Sequence, residues 1–344
     1  MKDNLRYQST KKKRIIYTTP ERLKNINQES VKIYEKYLRT SISKNRDVAN
    51  TTYKVYKSNF NIFLCYVLEH WDNQYILDEK FLEEDILDCM DEYIVFLQMD
   101  LQNNKKTINN KIAAVSSFYI WAAKKRMIRQ HPFAGMIDRM KGAQDEKIVA
   151  TYFLNDEEVQ AINAELDKVD ISGGSDYDKQ DQLIWNIAFD SACRIAALHG
   201  LTLSKLDLEK NRFVNIREKR GKIVSIPFTE STKKKLLEFI EQRKEIGVTC
   251  DELFYVHSKG EWRGMSTQSI YNRIVQMGYI VGVGDFRPHC IRKTRLDQVK
   301  KVSGLEVASK LANHESLDTT RRFYTQQEDQ SEILDEITKA MQQD

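Results

Sequence analysis

A mainly α fold with a small β-sheet, divided between two domains, follows from three observations on this chain. Its 344 residues are too many for one compact core. Only 4 Pro and 13 Gly punctuate it, which favours helices over turn-rich sheets. Apolar residues recur at helical spacing over most of the length, broken by one alternating stretch around Gly221.

Residues 1–29 carry basic and polar side chains without clear periodicity and read as an arm. From Ser30 a helix is expected, with Val31, Tyr34, Tyr37 and Leu38 on one face. Tyr53, Tyr56, Phe60, Phe63, Leu64 and Val67 mark a second, longer one. This aromatic stripe follows the 3.6 period and reads as core rather than as a base-stacking platform. A third helix places Ile86, Met90, Tyr93, Ile94 and Leu97 together, and a fourth Ile112, Val115, Phe118, Tyr119 and Ala122. His131-Pro132 ends that pattern, because proline disfavours helix at the residue before it. Four helices within 30–142 make one bundle, and the polar segment 143–150 reads as a linker.

The second domain, 151–344, opens on Asn155 followed by Asp156, Glu157 and Glu158, a helix cap with acids in the first turn. A helix over 179–190 leads into a turn at Arg194. Phe213–Arg217 and Lys222–Pro227 read as strands of a hairpin with Gly221 in its turn. Helical segments follow at about 230–245, 266–281, 289–302, 304–313, 316–324 and 328–342. The last is amphipathic, with Ile333, Leu334, Ile337 and Met341 on one side.

Charge is unevenly spread. Net charge is +4, yet residues 1–60 hold 15 Lys/Arg against 5 Asp/Glu, a local excess of 10 that leaves −6 elsewhere. Such a front end, Lys11, Lys12, Lys13 and Arg14 above all, attracts a phosphate backbone; a solvated tail is the equal alternative. The acidic run from Glu83 to Glu92 should face away from nucleic acid. Five scattered cysteines, none in a Cys-x-x-Cys pair, argue for free thiols in a reducing cytoplasm and against disulfides or a zinc site. No apolar run is long enough for a membrane span, and no secretory leader is legible at the N-terminus.

Chemistry-bearing residues cluster in the second half, in the order Arg194, Lys219, His289, Arg292, His314, Tyr324. Three local patterns hold five of them. These are Ala-Cys-Arg-Ile-Ala-Ala-Leu around Arg194, Arg-Pro-His-Cys-Ile-Arg-Lys-Thr around His289 and Arg292, and Ala-Asn-His-Glu-Ser ahead of Phe323-Tyr324. Guanidinium matches phosphate with paired hydrogen bonds and never deprotonates, so two of them suit a doubly charged phosphoryl transition state. His289 and Arg292 stand one helical turn apart and share a face. A lysine, two imidazoles and a phenol complete what attack on one phosphodiester needs, so no metal or cofactor is expected.

In spacing and local pattern this series resembles the tyrosine recombinase, or lambda-type phage integrase, family, over most of the chain. The resemblance implies a SAM-like helical core-binding domain at 30–142 and a recombinase catalytic domain at 151–344. It implies that Tyr324 is the nucleophile, forming a 3′-phosphotyrosine, and that Arg194 and Arg292 hold the non-bridging oxygens. Lys219 would protonate the leaving 5′-oxygen, His289 would assist proton removal from Tyr324, and His314 would bond the phosphate. Arg217, Arg220 and Lys222 compete with Lys219 for its role, and some relatives place the tyrosine at the Phe323 register. Arg220, Lys222 and Lys293 join the basic arm as expected DNA contacts. Double-stranded DNA is the implied partner, with self-association through the C-terminal helix and a cytoplasmic, nucleoid-associated location.

Two positions depart from the family pattern. An acidic residue usually follows the first arginine by three, where this chain has Ala197. Glycine usually precedes the late histidine, where this chain has Asn313. Both changes fit loosened selection on catalysis. The alternative to site-specific recombination is therefore a catalytically silent DNA-binding regulator, such as a phage repressor, on the same fold.

Overall fold

The computed structural model describes residues 15–42, 50–142, 152–170, 175–218, 221–313 and 317–323. They fall into two compact units, residues 15–142 and residues 152–323. The fold is mainly helical with a small antiparallel sheet. Among the described residues no helix is long and apolar enough to cross a membrane.

The first unit contains α1 (Pro20–Asn25), α2 (Gln28–Tyr37), α3 (Asn50–His70), α4 (Ile86–Met99) and α5 (Lys105–Lys124). Asparagine side chains cap two of the starts. Asn27 accepts from the amides of Glu29 and Ser30, and Asn104 accepts from that of Thr107. The aromatic stripe lies inside. Tyr34 stacks on Phe60 with ring centroids 3.8 Å apart, and Phe118 meets Tyr34, Tyr37 and Phe60 edge-on.

The lead-in is more ordered than its polarity suggests. The basic arm expected over 1–29 does not extend through its later part, because the chain packs onto the bundle from Tyr17 onward. Tyr17 and Ile26 are buried, and α1 starts on a Thr19 cap with proline at its first position. The Tyr17 hydroxyl donates to Glu69 Oε2 at 2.6 Å, and Arg22 pairs with the other Glu69 oxygen while lying 4.4 Å over the Tyr17 ring. Lys11 to Arg14 lie outside the described residues.

The second unit begins with α6 (Asp156–Asp167), α7 (Lys179–Ser191) and α8 (Ile195–His199). Asn155 and Asp178 each form a reciprocal capping box, with Glu158 and Asp181. A three-stranded antiparallel sheet follows, β1 (Leu206–Asp207), β2 (Arg212–Arg217) and β3 (Ile223–Pro227). Next come α9 (Glu230–Glu245) and a second hairpin, β4 (Tyr255–Ser258) with β5 (Glu261–Gly264). The remainder is α10 (Thr267–Met277), α11 (Pro288–Ser303), α12 (Leu305–Leu311) and α13 (Leu317–Phe323). The β4–β5 hairpin and strand β1 are additions to the two strands expected from sequence. The amphipathic segment at 328–342 lies outside the described residues.

The core of this unit gathers Trp185, Phe213, Phe239, Phe286 and Ile291 around the central α7. A smaller cluster of Ala192, Leu296, Ala308 and Ala312 joins the end of α7 to α11 and α12. Alanines there let three helices approach closely, which matters for the site below.

In the first unit, Phe118→Ala should cost about 3–5 kcal/mol of stability by leaving a cavity among the rings it meets, read as a lower urea midpoint.

Candidate functional site

Helix α7 ends at Ala192, whose φ of +50° is left-handed, a conformation that costs an ordinary L-residue about 1–2 kcal/mol. The turn aims the Ala192 carbonyl at α11 and releases Arg194 as the residue that begins α8. Ser191 steadies it, donating to the Ile187 carbonyl at 2.6 Å and accepting from the Cys193 amide at 3.3 Å. Burial pushes the Cys193 thiol up to about 11, which makes it a packing element rather than a nucleophile.

Arg292 sits one turn into α11, with its side chain enclosed and the residue only 2% exposed. Its guanidinium donates to the Ala192 carbonyl and, at 2.7 Å, to the Ala312 carbonyl. One side chain thus ties the end of α7 to the end of α12. His289, one turn earlier on α11, is exposed.

Arg194 lies two residues beyond the first of those carbonyls. It is 34% exposed and pairs through one terminal nitrogen with the Glu218 carboxylate, which is 2% exposed. Glu218 follows strand β2, and its amide donates to the Lys222 carbonyl at 2.7 Å, closing the base of the hairpin. Lys222 in turn donates from Nζ to the Asn313 carbonyl at 2.8 Å.

Arg194, Glu218, Lys222 and Asn313 are therefore linked through one chain of hydrogen bonds, and Arg292 bonds residues close to its two ends, Ala192 and Ala312. Lys219 and Arg220 lie outside the described residues, as do His314 and Tyr324. In sequence they adjoin this set: 219 and 220 between Glu218 and Gly221, 314 after Asn313, and 324 after the last residue of α13.

Two expected DNA contacts are otherwise engaged. Lys293 is 5% exposed, with its ammonium 5.2 Å over the Phe153 ring, and burial lowers its pKa. It cannot present its charge to a phosphate backbone as the sequence reading expected, because α11 turns it inward. Lys222 spends its ammonium on the Asn313 carbonyl.

Both departures from the family pattern have local explanations. Asn313 has φ +53°, a left-handed position that glycine or asparagine occupies at least cost. Ala197 leaves no acid one turn from Arg194, but Glu218 supplies one from another element. That residue was passed over in sequence. The signal for it was an acid interrupting the basic run Arg217–Arg220. Strand alternation alone hides it: Phe213 faces inward, so an unbroken strand would turn Arg217 inward and Glu218 outward. A bulge at Asn215, φ +55°, adds one residue between the Phe213–Ile226 and Ile216–Val224 pairs. Ile216 and Glu218 then face in, and Arg217 faces out. Among the described residues no group of three or more His, Cys, Asp or Glu could hold a metal ion.

Comparison with known proteins agrees with this architecture. The model of the phage integrase family matches residues 152–331. Tyrosine recombinase XerC of Chlamydia trachomatis serovar L2 is 26% identical over 228 residues, which covers 65% of this chain and 68% of the relative. Tyrosine recombinase XerA of Saccharolobus solfataricus is 26% identical over 145 residues, 42% of this chain and 45% of its own. Among solved structures, the Tn1549 transposon integrase in complex with a circular intermediate DNA shares the fold with TM-score 0.64 at 15% identity, covering 90% of this chain and 99% of that one. A lambda integrase dimer bound to a COC′ core site gives 0.58 at 13% identity, with 83% and 95% covered.

Substitutions at two positions test the local geometry. Asn313→Gly should leave stability within about 0.5 kcal/mol, whereas Asn313→Val, β-branched at a positive φ, should cost about 1–3 kcal/mol in calorimetry. Lys293→Met should stabilise at neutral pH by up to about 2 kcal/mol. A lysine whose folded pKa is lowered binds fewer protons than in the unfolded chain. Its penalty is full below the folded value and fades as pH rises towards the unfolded one. The Tm gain of Lys293→Met should accordingly shrink between neutral pH and about pH 10.

Proposed function

Because the chain belongs to the phage integrase family, we propose that it binds duplex DNA sequence-specifically and breaks and rejoins its strands through a covalent tyrosine intermediate. The observation that carries this reading is the part-exposed Arg194, held on one edge by Glu218 and presented by a turn that the buried, doubly anchored Arg292 fixes. A guanidinium fixed in advance suits a phosphate and costs little reorganisation when charge develops.

In the reaction, the phenol oxygen of Tyr324 attacks phosphorus while the bond to the 5′-oxygen breaks. His289 accepts the phenolic proton, and Lys219 donates one to the leaving 5′-hydroxyl. His314 bonds a non-bridging oxygen alongside Arg194; Arg292, expected from sequence to hold the other, gives both terminal nitrogens to the Ala192 and Ala312 carbonyls and fixes the turn that presents Arg194. The phosphotyrosine conserves the bond energy, so a 5′-hydroxyl from a second strand can reverse the step without a nucleotide cofactor. The helical unit, residues 15–142, forms the core-binding half that holds the duplex with the 152–323 unit, and the basic residues Lys11 to Arg14 and Arg220 add phosphate contacts. Association of copies on DNA through the 328–342 segment belongs to the same reading, as does a cytoplasmic, nucleoid-associated location.

A silent regulator would need no carboxylate on Arg194, and the Glu218 pairing favours the enzyme.

A nicked suicide duplex carrying the cognate site decides between the two. Wild type should yield a protein–DNA adduct that survives SDS, and Tyr324→Phe should yield none. Specific footprinting with no adduct under any condition would leave the regulator. Affinity should also fall about a thousandfold or more between about 50 and 200 mM salt. Removing residues 1–14, which spares Tyr17 and α1, should weaken binding while leaving the Tm unchanged.

A further inference from the structure

We propose that Glu218 is the positioning residue that aims Arg194 at the reacting phosphate, an inference that rests on the strand-cleavage reading above. The pair is asymmetric. The carboxylate is almost fully enclosed at 2% exposure, while the guanidinium it holds is 34% exposed. An enclosed acid on a part-open base acts as an anchor. It fixes one edge of the guanidinium and leaves the opposite edge for a ligand.

The anchor itself has little freedom. Its backbone amide is bonded to the Lys222 carbonyl, and the Lys222 ammonium is bonded to the Asn313 carbonyl. The Asn215 bulge turns Glu218 inward, and without it the inward position beside Arg194 would fall to Arg217, a second cation. Strand, hairpin base and the residue before His314 are thus built around delivering one carboxylate to one arginine. Ala197, one turn from Arg194 on α8, offers no competing acid.

A carboxylate so close to an anion pocket repels the ligand it helps to orient. That conflict gives the role a signature. Neutralising Glu218 should relieve repulsion in the bound state and release Arg194 from its aim in the transition state. A residue that only supports the fold would weaken binding and chemistry together.

The test is Glu218→Gln, nearly isosteric, in the full chain with the suicide duplex. Affinity for the duplex should hold or tighten by up to about threefold, while the single-turnover rate of adduct formation drops at least about tenfold. In an Arg194→Lys background the same change should slow the rate by less than about threefold, because the two residues act as one unit. A rate unchanged by Glu218→Gln, a full tenfold loss repeated in the Arg194→Lys background, or a parallel loss of affinity, rate and Tm would each overturn the inference. If wild type forms no adduct, the cleavage reading fails and the pairing is judged on Arg194 alone. Its ¹⁵Nη–H resonance, assigned with Arg194→Lys, should be resolved in wild type and collapse to the exposed-arginine position in Glu218→Gln. An Arg194 resonance indifferent to that change would overturn the pairing as well.

Discussion

The second unit of this molecule, residues 152–323, depends on a buried guanidinium held by backbone. Arg292 donates to the Ala192 and Ala312 carbonyls, and through them the end of α7 and the end of α12 are fixed to α11. Hydrogen bonds to a charged donor contribute about 1.5–3 kcal/mol each, so the two together are a sizeable share of the roughly 5–15 kcal/mol margin of a typical domain. The constraint runs outward from there. Ala192 must adopt a left-handed turn to offer its carbonyl, and that turn decides where Arg194 emerges. Alanines at 192, 308 and 312 let the helix ends come close enough for one side chain to reach both carbonyls.

Like charges assembled in one place repel, and the fold answers with short polar ties rather than with distance. Glu218 meets Arg194, and the Asn313 carbonyl meets Lys222. Arg292 is met by two carbonyl dipoles. Each tie crosses between elements far apart in sequence, so the cations are fixed relative to one another before any anion arrives. Preorganisation of this kind is what electrostatic catalysis on a phosphate requires.

How much was legible beforehand depended on which force placed each residue. The aromatic faces of α3 and α5 and the cap at Asn155 arise from local periodicity and local hydrogen bonding, and those signals are written in order along the chain. Arg194, His289 and Arg292 could be nominated from their short patterns. Glu218 could not, because its direction depends on a single-residue bulge that strand alternation does not announce. Lys293 misled for the opposite reason. Its basic identity suggested a surface, but its place on α11 turns it towards Phe153. The packing of Tyr17 and α1 was hidden by the polar residues around them.

The bulge at Asn215 makes strand β2 sensitive to parity. Losing or gaining one residue between Phe213 and Arg217 would leave composition almost untouched and reverse the sign of the charge offered to Arg194. A segment of ordinary appearance therefore carries a counting rule. Hybrids that exchange this hairpin with another protein must match its length as strictly as its side chains.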